Sequence, residues 1–160
     1  MRHELGFVLL FSLSSGMGIG QGLTTQRSLS AGAALKVAQA TAEKCGSQGY
    51  RISLSILDAS GSVKLQLRGD GTGPHTLEHS RRKAYTSLTF KRSSAEYAEA
   101  QAKRTGPAPV IEGVVAAAGG IPIRIGDEVI GAIGVSGAPG GDKDEACAAF
   151  GLSEIKDVLK

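Results

Sequence analysis

Two alternating apolar runs separated by only three residues constrain this chain more than any other feature in it. Ile121, Ile123 and Ile125 alternate with Pro122 and Arg124, the period of a half-buried strand. Gly126-Asp127-Glu128 reads as a tight turn, and Val129 to Val135 as the returning strand. Strands joined this closely pair antiparallel, because a parallel pair needs a crossover of a dozen residues or so. Pro122 has no N–H to give to a ladder, which places its strand at a sheet edge or the proline at the strand's start. The returning strand shows Val129, Ile133 and Val135 on one face and Ile130, Ala132 and Gly134 on the other. The second face is nearly bare, so a helix, a ligand or another subunit must approach its backbone closely.

The rest of the chain repeats this organisation. Leu29 to Lys44 is predicted as a helix with Leu35, Ala38, Ala42 and Cys45 as its core stripe, ended by Gly46 and Gly49. Ile52, Leu54 and Ile56 alternate with Ser53 and Ser55 over Arg51 to Asp58. The turn Asp58-Ala59-Ser60-Gly61 leads into a second strand, Ser62 to Arg68, with Val63, Leu65 and Leu67 inside and Lys64, Gln66 and Arg68 outside. After Gly69 to Pro74, a helix is predicted from His75 or Thr76 to Phe90, with Leu77, Ala84, Tyr85 and Leu88 as its apolar face. Ser93 and Glu96 form a capping-box signature for a further helix to about Arg104. Val110 to Ala118 reads as a short strand or an irregular approach. Asp142, with Glu145 three residues on, reads as the cap of a last helix that Gly151 interrupts. Hairpins interleaved with helices give an α+β domain, helices packed on an antiparallel sheet.

Composition narrows the partners. One hundred and sixty residues, 41% of them hydrophobic, suit a single packed domain. A net charge of +3 and 4% aromatic content are far from a nucleic-acid binder and favour anionic small molecules. Residues 1–22 have the layout of a secretory signal peptide: Arg2 and His3, the apolar run Leu5 to Leu13, then small and polar residues to Gly22. The run is too short to span a bilayer, so no membrane insertion is expected once it is removed. The other reading is a buried N-terminal helix. The expected mature domain is 23–160, periplasmic or secreted. In such a compartment Cys45 and Cys147 form either one disulfide or two buried thiols.

Signatures of catalysis are mostly absent. Gly137 to Lys143 lacks the hydroxyl residue that a phosphate loop uses to hold magnesium, and a turn with a helix cap is the simpler account. His75 and His79 are four residues apart, on one helical face with Arg82 and Thr86, as two metal-ligating imidazoles would be. They are either ligands or a pair of solvated surface histidines. Seven basic residues between Arg81 and Arg104 form a solvated face or a partner for the carboxylates of an anionic cofactor. Tyr85 is most simply core, and Tyr97 is core or a second ligand.

The segments LDASG from Leu57, LRGDGTGPHT from Leu67, RRKAYTSLTF from Arg81 and the whole run from Gly119 to Leu152 resemble the GlcG/HbpS family. This is the haem-binding, haem-degrading-like domain also found at the C-terminus of some corrinoid adenosyltransferases. The resemblance covers about Leu29 to Leu159 and implies a profilin-like fold, a central antiparallel sheet flanked by helices. It further implies an exported haem-binding protein that stores, delivers or senses haem, with little or no strong catalysis. Homo-oligomers and, for some members, a membrane sensor protein as partner are implied too. On this resemblance His75 is the expected ligand of the haem iron. Thr76 and Tyr97 are alternatives, His79 shares the site, and Arg82 and Lys83 are expected to meet the propionates. The rival functions are an enzyme acting on haem, a corrinoid or a small organic acid, and an oligomeric interaction module assembling through Ile130-Ala132-Gly134.

Overall fold

The structure, a computed structural model, describes Gly22 and residues 24–160. The segment read as a signal peptide lies, apart from Gly22, outside the described residues. Elements follow in the order α1 (Ala31–Ser47), β1 (Ser53–Asp58), β2 (Val63–Arg68), α2 (Thr76–Phe90), α3 (Ser94–Ala102), β3 (Gly120–Ile125), β4 (Glu128–Ser136) and α4 (Gly141–Ser153). The two hairpins combine into one antiparallel sheet of order β2-β1-β4-β3, with Pro122 on an edge strand as its missing N–H requires. The architecture is therefore the expected α+β one. Residues 110–119 are irregular.

Helices cover both faces. On one, α1 and α4 bury Leu54, Ile56, Ile123, Ile133 and Val135, the larger core. Cys45 of α1 and Cys147 of α4 are joined there by a disulfide, with Cα atoms 5.7 Å apart. On the other face, α2 lies across β1 and β4 and meets Leu57 and Ala132. It is α2 that approaches the bare strand face, since a Cβ at Gly134 would collide with the Ser80 carbonyl and the Ala84 amide. That face is thus unavailable for assembly between subunits.

Several expected faces shift for identifiable reasons. In α1 the buried stripe is Ala34, Val37, Ala38, Thr41 and Cys45, while Leu35 is 60% exposed. The helix is turned towards α4, where a Cβ at Gly151 would meet Thr41, so Gly151 permits close helix packing and lies inside α4. In α2 the buried residues are Thr76, Ser80, Lys83, Ala84, Thr86 and Ser87, with Leu77, Tyr85 and Leu88 only partly covered. The wall it packs on is polar, and hydroxyl pairing outweighs the apolar stripe. β2 is an edge strand, and Val63 is 47% and Leu67 40% exposed rather than inside. A register shift between Ile123 and Arg124 leaves Ile130 without a partner in β3, and Ile130 joins Ile133 and Val135 in the larger core. The Ser93–Glu96 capping box is formed, with both reciprocal bonds in place, whereas α4 is capped by Gly140 and not by Asp142. Glu145 instead accepts the Gly119 amide at 3.4 Å.

Candidate functional site

The polar sheet face fixes where α2 begins. Ser53 bonds the Thr76 hydroxyl at 2.8 Å and the Thr72 hydroxyl at 3.2 Å, and Ser55 bonds Ser80 at 2.8 Å. Thr76 also donates to the Gly73 carbonyl at 2.8 Å, which ties the glycine-rich loop to the first turn of the helix. His75 then occupies the N-cap position with its imidazole making no capping bond, and His79 follows one turn later. Their rings are 6.3 Å apart. Gly73 keeps the His75 ring clear, for a Cβ there would stand 2.9 Å from Cε1 and 3.0 Å from Nδ1.

The opposite wall comes from the end of β4 and the loop to α4. Ser136 Oγ lies 3.3 Å from His79 Nδ1, and Gly137, Ala138, Pro139, Gly140 and Gly141 line a cleft of about 570 Å³ shared with His75 and His79. The loop thus both caps α4 and lines the cleft. Arg51 borders the same cleft, and Gly71, Gly73, Gly137, Gly140 and Gly141 leave its walls as bare backbone.

The electrostatics of the cleft are set by burial and by cations. Burial holds the His79 imidazole below its ordinary 6.5, helped by the nearby charges of Lys83, His75 and Arg82. Its neutral form accordingly dominates at pH 7. Beneath it, the Lys83 ammonium bonds Asp144 at 2.8 Å, both side chains being buried. Burial raises the Asp144 carboxyl above its ordinary 3.8, and the bond from Lys83 and the Ala138 amide pull it back.

The residues expected to act together are only partly gathered here. His75 and His79 share the cleft. Thr76 lines the cleft but is buried, with its hydroxyl engaged by Gly73 and Ser53. Lys83 faces the cleft, but its charge is met by Asp144, which leaves no free ammonium for a propionate. Arg82 lies on the neighbouring outer surface with His75, Glu78 and His79, and one of its nitrogens donates to the Val114 carbonyl at 2.8 Å. Tyr97 is buried on α3 and stacked on Phe90 at 4.3 Å, outside the cleft. Arg51, Ser136 and Asp144 join the site from positions with no motif to mark them. Among the described residues no cluster of three or more His, Cys, Asp or Glu side chains is placed to hold a metal ion, and no helix is long and apolar enough to cross a membrane.

The family model described as haem degrading protein HbpS-like matches residues 29–153. A crystal structure of HbpS superposes with a TM-score of 0.78 at 35% identity, covering 85% of this chain and 96% of that one. A double mutant of HbpS from Streptomyces reticuli gives 0.77 at 35% identity, covering 85% and 92%. A PduOC:heme complex shares the fold at 22% identity, with a TM-score of 0.71 and 79% and 94% covered. No curated protein sequence matches the chain. The element order, the sheet topology and the matched span together place this chain in the HbpS-like family of haem-degrading proteins.

Proposed function

We propose that this protein binds haem in the cleft between the start of α2 and the Ser136–Gly141 wall, and that it stores, delivers or senses haem outside the cytoplasm. The observation that carries the proposal is the pairing of His75, unbonded and exposed at the cleft mouth, with walls of bare glycine backbone. A flat macrocycle can lie against such walls, and an imidazole is the commonest haem ligand. His75 is the iron ligand in this arrangement, His79 a neutral neighbour, and Arg51 and Arg82 are the cations near enough to the cleft to meet propionates. Bound haem supplies a redox-active iron. The chain's own residues would orient it, and with no Phe, Tyr or Trp lining the cleft it would be held by few stacking contacts and would exchange. Family membership and the haem complex of the PduOC neighbour support the ligand.

Export is supported by the signal-like composition of residues 1–22 and by the disulfide, which suits an oxidising compartment. A homo-oligomer and a membrane sensor protein as partner complete the proposal.

Hemin titration tests it. The wild type should give a saturable Soret shift, and His75→Ala should alter that spectrum and weaken binding about tenfold or more. Absence of a saturable shift in the wild type sinks the proposal, and an unchanged spectrum in His75→Ala removes His75 as ligand. The family description as haem degrading favours a second activity, slow haem breakdown. Turnover with peroxide must exceed a free-hemin control and fall in His75→Ala for that activity to stand.

A further inference from the structure

Lys83 and Asp144 are the buried charged side chains among the described residues, and each makes bonds that an isolated ion pair does not need. Lys83 Nζ donates to Asp144 Oδ2 at 2.8 Å and to the Val135 carbonyl at 3.0 Å. The other carboxylate oxygen accepts the Ala138 amide at 3.0 Å. So α2, the end of β4, the Gly137–Gly141 loop and the first turn of α4 all meet at this pair. Gly119, at φ +119°, closes over it, and a Cβ there would stand 2.8 Å from Asp144 Cβ and 2.9 Å from Lys83 Nζ. Buried ion pairs are weak sources of stability, since apolar residues of similar volume often replace them without loss. An apolar pair cannot hold the Ala138 N–H and the Val135 carbonyl at fixed points. His79 lies one turn before Lys83 on α2, while the loop hung on Asp144 is the opposite cleft wall.

We propose that Lys83 and Asp144 are positioning residues, which set the separation between His79 and the Gly137–Gly141 wall and thereby the affinity of the cleft for its ligand. The affinity half of this rests on the haem-binding proposal, whereas the positioning half does not.

The experiment compares the wild type with Lys83→Met/Asp144→Leu and with Lys83→Gln/Asp144→Asn, the second pair keeping donors and acceptors without charge. Amide hydrogen exchange is followed over residues 136–143 in ligand-free protein, and hemin is titrated into each. The Met/Leu pair should unfold as cooperatively as the wild type, exchange faster over residues 136–143, and bind hemin about tenfold more weakly. The Gln/Asn pair should recover most of both losses. A folded Met/Leu protein with wild-type exchange and wild-type affinity overturns the proposal. Exchange of the wild-type Ala138 amide at the rate of a free loop overturns it too, whether or not the variants fold. If the wild type binds no hemin while the exchange differences appear, the haem proposal has failed and the positioning stands.

Discussion

The two faces of the sheet hold their helices by different means. Towards α1 and α4 the strands present Leu54, Ile56, Ile133 and Val135, and the helices answer with Val37, Ala38 and Ala148 around the disulfide. Burial of each of the larger of these side chains contributes about 1.5–3 kcal/mol, and the hydrophobic effect behind it is non-directional. Towards α2 the strands present Ser53, Ser55, Leu57, Ala132 and Gly134, and the helix answers with Thr76, Ser80 and Ala84. The apolar cluster there is small, Leu57 and Ala132 under Ala84 with Tyr85 and Leu88 beside them. Hydroxyl pairs at 2.8 Å and backbone contact over glycine fix the helix instead, at about 1 kcal/mol per hydrogen bond but with a defined axial position. The first face supplies cohesion. The second supplies geometry, and His75 and His79 are carried on the helix it holds.

The largest way to break this comparison is Gly134→Val. The added side chain must displace the Ser80 carbonyl and the Ala84 amide, both backbone atoms that cannot swing aside. The loss should exceed about 4 kcal/mol, read as a collapse of the urea midpoint. A midpoint near the wild type would show that α2 does not rest on Gly134.

A sharper contrast comes from one truncation on each face. Leu54→Ala opens a cavity in the larger core and should cost about 2–5 kcal/mol, with hemin affinity of the folded protein little changed. Ser55→Ala with Ser80→Ala removes that buried pair, together with the Gln66 amide's bond to Ser55 and the Ser80 bond to the Leu77 carbonyl, and should cost about 1–2 kcal/mol. It should nonetheless weaken hemin binding more than Leu54→Ala does, because the start of α2 loses a fixed point. Equal effects on affinity from the two faces would dissolve the distinction between cohesion and geometry.

The same division explains what was legible in the sequence. Period-2 runs, the proline at an edge and the capping box are local patterns, and they delivered the hairpins, the helix order and the α+β class. The GPHT junction, Gly73 to Thr76, stands out by its composition. Periodicity finds Ala38, Cys45 and Ala84 but only part of the faces of α1 and α2, because it counts apolar residues, whereas α2 is seated through Thr76 and Ser80, which look like surface. Lys83 read as a free cation because Asp144, its partner, is 61 residues away in sequence. The wall at Ser136–Gly141 is half visible in the sequence, through its glycines, but only the sheet order brings the end of β4 beside the start of α2.

The smallest expected effect concerns His79 and its proton. Folding holds its imidazole below 6.5, chiefly by burial, with the charges of Lys83, His75 and Arg82 acting in the same direction. As pH falls through 6.5 the unfolded chain takes up this proton first, so it binds more protons than the folded state and stability declines towards acid. Above 6.5 neither state is protonated and the contribution is fully present. His79→Gln keeps a polar group facing Ser136 but removes the titration, so its urea midpoint should fall less steeply between pH 7 and pH 5 than that of the wild type. The difference should be roughly a few tenths of a kcal/mol, because the ring is only half-buried and solvent screens it. Parallel midpoint curves for the two proteins would mean that the imidazole is as well solvated in the cleft as in the unfolded chain, and that the geometric face leaves His79 more open than the Ser136 contact implies.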